Sequence, residues 1–229
     1  MRTIAVIALK GGSGKTTVAS HIALAAHLRG LKTVVADTDP QRSATEVLRA
    51  RVGGGPTCVG AIGASLFAAQ IAAVGSAMDT MVIDTAAGAA EDVAQAIVVA
   101  DFSLLVVRPT LMDIAAAVRT VDVIRRLRKP AMVVVNQAPP ARDGIEPPSV
   151  KRAMRALELL RLPVVPTLLR SRAIYQSALE TGRSVEECYD VNAAREIAAL
   201  WAFVERFTFG KRDGAELDAD EEDELKFAP

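Results

Sequence analysis

Apolar residues in this chain gather in short, near-continuous runs separated by stretches with helical spacing. Runs at Thr3–Leu9, Thr33–Asp37, Thr80–Asp84, Phe102–Arg108, Ala131–Asn136 and Pro163–Pro166 predict six strands. They are rich in Val, Ile and Leu and show little polar alternation, the pattern of strands buried on both faces. The intervening stretches predict helices at Thr16–Arg29, Ser43–Arg51, Leu66–Val74, Ala90–Val99, Asp113–Leu127, Pro148–Leu160, Ile174–Thr181 and Asn192–Phe207. Such alternation predicts an α/β fold: a parallel twisted sheet with helices on both faces, joined by right-handed connections. Gly53–Pro56 and Gln137–Pro148 read as loops. In sheets of this kind ligands collect beyond the strand C-termini. Asp37, Asp39, Asp84 and Asn136 all stand at or just after a strand end.

Composition narrows the picture. The chain has 229 residues, enough for one α/β domain, and 51% of them are apolar but only 4% aromatic. The core is therefore built from Ala, Val, Leu and Ile. No apolar run approaches the ~20 residues of a membrane-spanning helix. No basic leader or cleavage site is evident, so no signal peptide is expected. Two cysteines, Cys58 and Cys188, lie far apart and outside any C-x-x-C, consistent with a reduced, cytoplasmic protein.

The formal net charge of zero hides an asymmetry. Residues 211–229 hold three of the 27 basic and eight of the 27 acidic side chains, leaving 24 and 19 in residues 1–210. The body is about +5 and the end about −5, so a mildly basic body is compatible with a polyanion partner. Residues 1–210 are expected to form the folded domain. Residues 211–229, acidic and poor in large apolar groups, are expected to be a disordered tail.

The richest chemistry lies at Lys10-Gly11-Gly12-Ser13-Gly14-Lys15-Thr16-Thr17, between the first strand and the first helix. A strand, a glycine-rich turn and a helix start make a phosphate cradle, in which backbone N–H groups and the helix N-terminus favour negative charge. Gly11, Gly12, Ser13, Gly14, Lys15, Thr16 and Thr17 would form it, with Lys15 on the β/γ-phosphates and the Thr16 hydroxyl on Mg2+. The fold expected is thus a three-layer P-loop NTPase. The usual G-x-x-x-x-G-K-[ST] pattern fails once, because Leu9 replaces its first Gly, and Lys10 directly precedes the double glycine.

Phosphoryl transfer also needs a metal and a group that positions the attacking water. Asp84 ends the strand Thr80-Met81-Val82-Ile83-Asp84, an acidic residue after an apolar strand run, the Walker B form that holds Mg2+. Asp39, in Asp37-Thr38-Asp39-Pro40-Gln41, is the candidate for orienting the water. Asp37 supports either Asp39 or the metal shell. Asn136 either caps a loop or hydrogen-bonds an adenine edge. Taken alone, Lys10 could be a solvated lysine beside a turn, and an Asp after a strand is a common cap. Their conjunction with the cradle gives both a chemical reading.

KGGSGKTT, DTDPQRSAT, VIDTAAG and RPTLMD together resemble the ParA/MinD family of deviant Walker A ATPases, most of all the short, ParF-type partition ATPases. The similarity spans about residues 1–208. It implies a homodimer formed on ATP, with nucleotide sandwiched between subunits and Lys10 reaching the partner's phosphates. It implies cis phosphate and Mg2+ roles for Lys15 and Thr16, a catalytic and metal-side role for Asp39 in switch I, and a Walker B role for Asp84. Pro109–Asp113 matches a family stretch near the nucleotide and dimer face. One departure is Ala86-Ala87-Gly88 after Asp84-Thr85, where many relatives carry proline.

Partition-type members bind non-specific DNA as ATP dimers and are stimulated by a ParB-like adaptor, which implies a nucleoid-associated ATP state. The candidate DNA contacts here are Lys151, Arg152 and Arg155, with Arg170 and Arg172; Arg125, Arg126, Arg128 and Lys129 form another basic cluster. No helix-turn-helix domain precedes the P-loop, so sequence-specific operator binding is not expected. A MinD-like membrane switch needs a basic amphipathic C-terminus, and this one is acidic. Synthetases on the same fold lack the lysine before the double glycine. Iron–sulfur relatives need interface cysteines that Cys58 and Cys188 do not match. A positioning ATPase for a protein cargo, such as polar machinery or a microcompartment, would share every motif.

Overall fold

A computed structural model describes residues 1–88 and 90–210; the expected acidic tail, 211–229, lies outside the described residues. The elements run in order β1 (Arg2–Ile7), α1 (Lys15–Leu28), β2 (Thr33–Asp37), α2 (Ser43–Arg49), β3 (Thr57–Gly60), α3 (Ser65–Gly75), β4 (Thr80–Asp84), α4 (Ala90–Val99), β5 (Phe102–Val107), α5 (Leu111–Leu127), β6 (Ala131–Val135), α6 (Pro148–Glu158), α7 (Ile174–Leu179), a 3-10 turn (Val185–Glu187) and α8 (Val191–Phe209). Six strands form one all-parallel sheet in the order β3-β2-β4-β1-β5-β6. The α/β fold with helices on both faces is the one the hydrophobic pattern predicts.

The period-2 geometry of a strand explains the layering. Ile4, Val6, Val82, Leu104 and Val106 point to one face, into a core closed by α1, α2, α7 and α8. Ala5, Ile7, Met81, Ile83, Leu105 and Val107 point to the other, where α3, α4, α5 and α6 cover them. β1, β2, β4, β5 and β6 are buried along nearly their whole length, which is why they read as continuous apolar runs. α1 is buried on most of its circumference, with Val18, Ile22, Ala23, Leu24 and Ala26 fully enclosed, so it shows little amphipathic stripe.

Two expectations are corrected. Pro163–Pro166 is not a strand. Val133 donates to the Pro163 carbonyl and Val165 to the Val133 carbonyl, both at 2.8 Å, but only a single bridge forms, between Val133 and Val164. Pro163 and Pro166 have no N–H to extend a ladder. The sixth strand is instead β3, four residues that pair with β2 from Val34↔Thr57 to Asp37↔Gly60. It is short, mostly exposed and ends on Gly60, so it carries no buried-strand signal. All eight helices fall within two residues of their expected ends.

Parallel pairing brings the chemistry to one rim. Asp37 lies opposite Asp84 in the β2–β4 register, and Val6 lies opposite Asp84 on the other side. The loop after β1 thus leaves the sheet beside both carboxylates, at the strand C-terminal ends.

Candidate nucleotide site

The cradle is built by a sharp turn into α1. Gly14 sits at φ 91°, ψ 28°, just ahead of Lys15, and its carbonyl accepts from the Val18 N–H at 3.0 Å. A Cβ on Gly14 would stand 2.2 Å from Asn136 Nδ2, so both backbone conformation and space demand glycine. Asn136 is buried at the end of β6 and donates to the Ser13 carbonyl at 2.8 Å; Gln137 Nε2 donates to the Gly12 carbonyl at 3.3 Å. In this structure Asn136 therefore tethers the P-loop to the far strand. Gln137, not singled out from the sequence, shares that work.

Lys15 is buried at the start of α1. Burial holds its ammonium below the usual lysine range, while the negative charges of Asp84 and Asp39 pull it back up. Asp84 is fully buried beneath it. Burial pushes the Asp84 carboxyl up to about 7; the facing Thr16 side chain and Lys15 offset part of that shift, and Asp37 adds to it. Thr16 does not meet hydrogen-bond geometry, and both Asp84 oxygens are without a hydrogen-bond partner among the described residues, as is Ser13 Oγ. Buried, orphaned carboxylate oxygens beside a hydroxyl and a lysine fit a bound cation and phosphate. Among the described residues no three His, Cys, Asp or Glu converge as a ligand set, so Mg2+ would be shared with phosphate oxygens, with Thr16 and Asp84 on the protein side.

This burial has a measurable consequence without nucleotide. An unfolded chain releases the Asp84 proton near the ordinary 3.8, the folded chain near 7. Between those values the folded state binds more protons, so stability falls as pH rises through that window and levels off above it. Asp84→Asn is therefore expected to raise the melting temperature at pH 8 and leave it nearly unchanged at pH 4. A thermal melt showing no gain at pH 8 would contradict the assigned environment.

The aspartates at the end of β2 divide their tasks. Asp37 is wholly buried, and its Oδ2 accepts from the Thr45 N–H (2.9 Å) and Thr45 Oγ1 (2.8 Å), which pins the start of α2. Its Oδ1 accepts from the Asp39 N–H at 3.2 Å. Asp37 thus supports the loop that carries Asp39. Asp39 is half-buried, and its Oδ1 accepts from the Gln41 N–H at 2.9 Å in a tight turn. Thr38 donates through both N–H and hydroxyl to the Asp84 carbonyl, each at 3.0 Å, tying the two strand ends together. After β4, Thr85 Oγ1 donates to the Val6 carbonyl and the Gly88 N–H to the Leu9 carbonyl, so the proline-free segment is stitched to the P-loop through Gly88.

Lys10 lies outside its own cradle. Its Nζ donates to Asp113 Oδ2 at 2.7 Å, and its side chain is 33% exposed against 2% for Asp113. Asp113 sits in the first turn of α5, where its N–H bonds Thr110 Oγ1, the N-cap. It also receives Arg108 and the Thr110 hydroxyl. Burial alone would raise the Asp113 carboxyl; the bonds from Arg108, Lys10 and Thr110 outweigh it and hold the group below the usual carboxylate range. Arg108 and Asp113 are close in sequence, five residues apart across the turn into α5, but nothing in the spacing relates them to Lys10. Only the β1–β5 pairing brings Lys10 to them.

The DNA-contact candidates sit elsewhere and differ among themselves. Lys151, Arg152 and Arg155 project from the exposed side of α6, whose other side buries Val150, Ala153 and Leu157. Arg152 and Arg155 form no ion pair among the described residues; the Lys151 charge acts on Glu146. Arg170 is paired with Glu146 and donates to the Pro139 carbonyl at 2.9 Å. Arg172 is paired with Glu196 at 3.0 Å. The last two charges are already met by carboxylates. The thiols of Cys58 and Cys188 are free and half-buried.

A six-stranded parallel sheet with this cradle after β1 defines a P-loop nucleotide-binding protein. Residues 4–185 match the CobQ/CobB/MinD/ParA nucleotide binding domain, and the chain belongs to that family. It is 31% identical over 196 residues to maintenance of carboxysome distribution protein A of Halothiobacillus neapolitanus, covering 80% of this chain and 86% of that one. Its fold is similar to an ATP complex of McdA from Cyanothece (TM-score 0.71, 16% identity, 94% of this chain and 99% of that one). It is also similar to the cell division ATPase MinD of Pyrococcus furiosus (TM-score 0.70, 20% identity, 90% and 99%). A plasmid partition protein of Borrelia burgdorferi bound to AMPPNP gives 0.65 at 15% identity, over 90% and 99%. No described helix is long and apolar enough to cross a membrane.

Proposed function

We propose that this chain is a slow, partner-stimulated Mg2+-dependent ATPase that homodimerises on ATP, binds non-specific DNA in that state, and positions a cargo along it. The observation that supports the reading is Lys10, a second lysine at the cradle mouth that is held outside its own cradle on Asp113; in the dimer it would leave that carboxylate for the partner's phosphates. ATP with Mg2+ supplies the triphosphate whose terminal group completes the dimer face. Gly11–Thr17 bind it, Lys15 and Thr16 orient its phosphates, Asp84 holds the metal side, and Asp39 positions water. Loss of the terminal phosphate removes the partner for Lys10, so hydrolysis times the release of the dimer.

The carboxysome-distribution relative favours a protein assembly as cargo over a plasmid, with an adaptor that supplies the stimulation. The plasmid reading keeps support from the Borrelia partition protein's fold and calls for a ParB-like adaptor. Both share a cytoplasmic, nucleoid-associated ATP state. For DNA, Lys151, Arg152 and Arg155 are better placed than Arg170 and Arg172, whose guanidinium groups would first have to leave Glu146 and Glu196.

The test is binding to non-specific duplex DNA in ATP against ADP, with Asp39→Ala to prevent turnover. If each subunit of the dimer places three α6 cations on phosphates, affinity should fall roughly 1,000-fold between 50 and 200 mM salt. Replacing Lys151, Arg152 and Arg155 with alanine should flatten that dependence. An ATP dimer seen by sizing that binds no DNA at low salt would sink the DNA half of the proposal.

A further inference from the structure

We infer that Arg108 is the counter-ion that permits Lys10 to leave Asp113, and so sets how readily the protein dimerises. The inference rests on the reading of Lys10 as a residue that moves into the dimer.

The Asp113 carboxylate is 2% exposed, and an ionised carboxylate buried that deeply without a partner is strongly unfavourable. Were Lys10 its only cation, departure would strand the charge, and the pair would resist opening. The donors are not arranged that way. Arg108 Nε donates to Oδ1 at 3.0 Å and Nη2 to Oδ2 at 3.2 Å, a two-pronged grip. Thr110 Oγ1 also donates to Oδ2. Lys10 reaches Oδ2 alone. When Lys10 leaves, both carboxylate oxygens keep a donor and the charge keeps a cation. When Arg108 is removed, Oδ1 loses its donor and Lys10 becomes the sole counter-charge.

Arginine suits this task because its planar fork spans both oxygens, whereas a lysine offers one point charge. The grip is also anchored to the P-loop. Nη1, which takes no part in it, lies 3.7 Å from where a Cβ on Gly12 would stand, so the guanidinium rests against the loop that Lys10 must swing from. Arg108 is a positioning residue: it acts on Lys10 through Asp113.

Two readouts test this. In nucleotide-free protein, the rate of acylation of the Lys10 amine is followed by mass spectrometry, with the exposed Lys32 as internal reference. Arg108→Gln should slow Lys10 labelling by about threefold or more, since the amine is now held as the only cation of a buried carboxylate; Arg108→Lys should fall between. With ATP, in the Asp39→Ala background, Arg108→Gln should raise the protein concentration for half-dimerisation by about tenfold while leaving ATP affinity unchanged. Adding Asp113→Asn to Arg108→Gln should restore dimerisation, a rescue that a merely structural arginine would not show.

Unchanged or faster Lys10 labelling in Arg108→Gln overturns the inference, because it means that Arg108 does not compete for the carboxylate. Unchanged dimerisation with slowed labelling overturns the functional half. If the Arg108-bearing protein itself forms no ATP dimer, the proposed function fails, and the labelling result still decides whether Arg108 shares Asp113 with Lys10.

Discussion

Lys10→Ala should abolish the ATP-dependent dimer while ATP binding by the monomer stays within about threefold of the unsubstituted protein. The separation follows from geometry. The lysine inside the cradle is Lys15, buried and drawn by Asp84 and Asp39. Lys10 is anchored away from it, on Asp113, with a third of its side chain open to solvent. Losing it costs the monomer's own cradle little. In a two-fold dimer the same contact is made twice. Loss of one desolvated charge pair at an interface typically costs about 2–5 kcal/mol, and two such losses exceed what a reversible dimer can absorb. Sedimentation with a slowly hydrolysed ATP analogue, beside calorimetry of nucleotide binding, reads both quantities. A Lys10→Ala dimer of ordinary strength would refute the reading. Asp113→Asn should move the other way, since it weakens the hold on Lys10, and about tenfold less protein should suffice for half-dimerisation.

Asp39→Ala should lower the single-turnover rate of phosphate release by ~100-fold or more and leave the ATP dimer trapped. Asp39 is suited to hold a water because its carboxylate is only partly engaged: Oδ1 takes the Gln41 N–H, and no described residue donates to Oδ2. Its backbone is fixed by the Asp37 carboxylate, which is itself held by Thr45. The other acids at this rim are unsuited. Asp37 is spent on hydrogen bonds, and Asp84 lies fully buried, with Thr16 and Lys15 acting on it. The expected pattern is therefore specific: folded, nucleotide-bound, dimeric with ATP, and slow. An Asp39→Ala protein that stays monomeric with ATP while still binding it would show that Asp39 serves dimerisation rather than hydrolysis.

Much of this protein is legible in one dimension. Buried strands need runs of Val, Ile and Leu, and a parallel sheet needs helices between them, so five of the six strands and all eight helices could be placed by pattern. The phosphate cradle is local as well: a turn that only glycine can make, followed by a lysine and a hydroxyl at a helix start, is contiguous in sequence because its chemistry is contiguous in space. Asp84 and Asp39 are legible for a related reason, since strand ends in such a sheet all open on one rim.

What the tertiary structure decided has no local signal. β3 exists because β2 offers an unpaired edge, although its own four residues are mostly exposed and end on glycine. Pro163–Pro166 fails as a strand because a ladder needs N–H groups that its prolines lack. Asn136 proves to be a tether for the P-loop 123 residues earlier. Arg170 and Arg172, basic in the sequence, are neutralised by Glu146 and Glu196. The partner of Lys10 is a carboxylate 103 residues away. Charge and hydropathy along a chain set which residues must be buried and which loops can take a phosphate. That Lys10 meets Asp113 is set by strand order, which places β1 beside β5, and strand order is a property of the packed sheet alone.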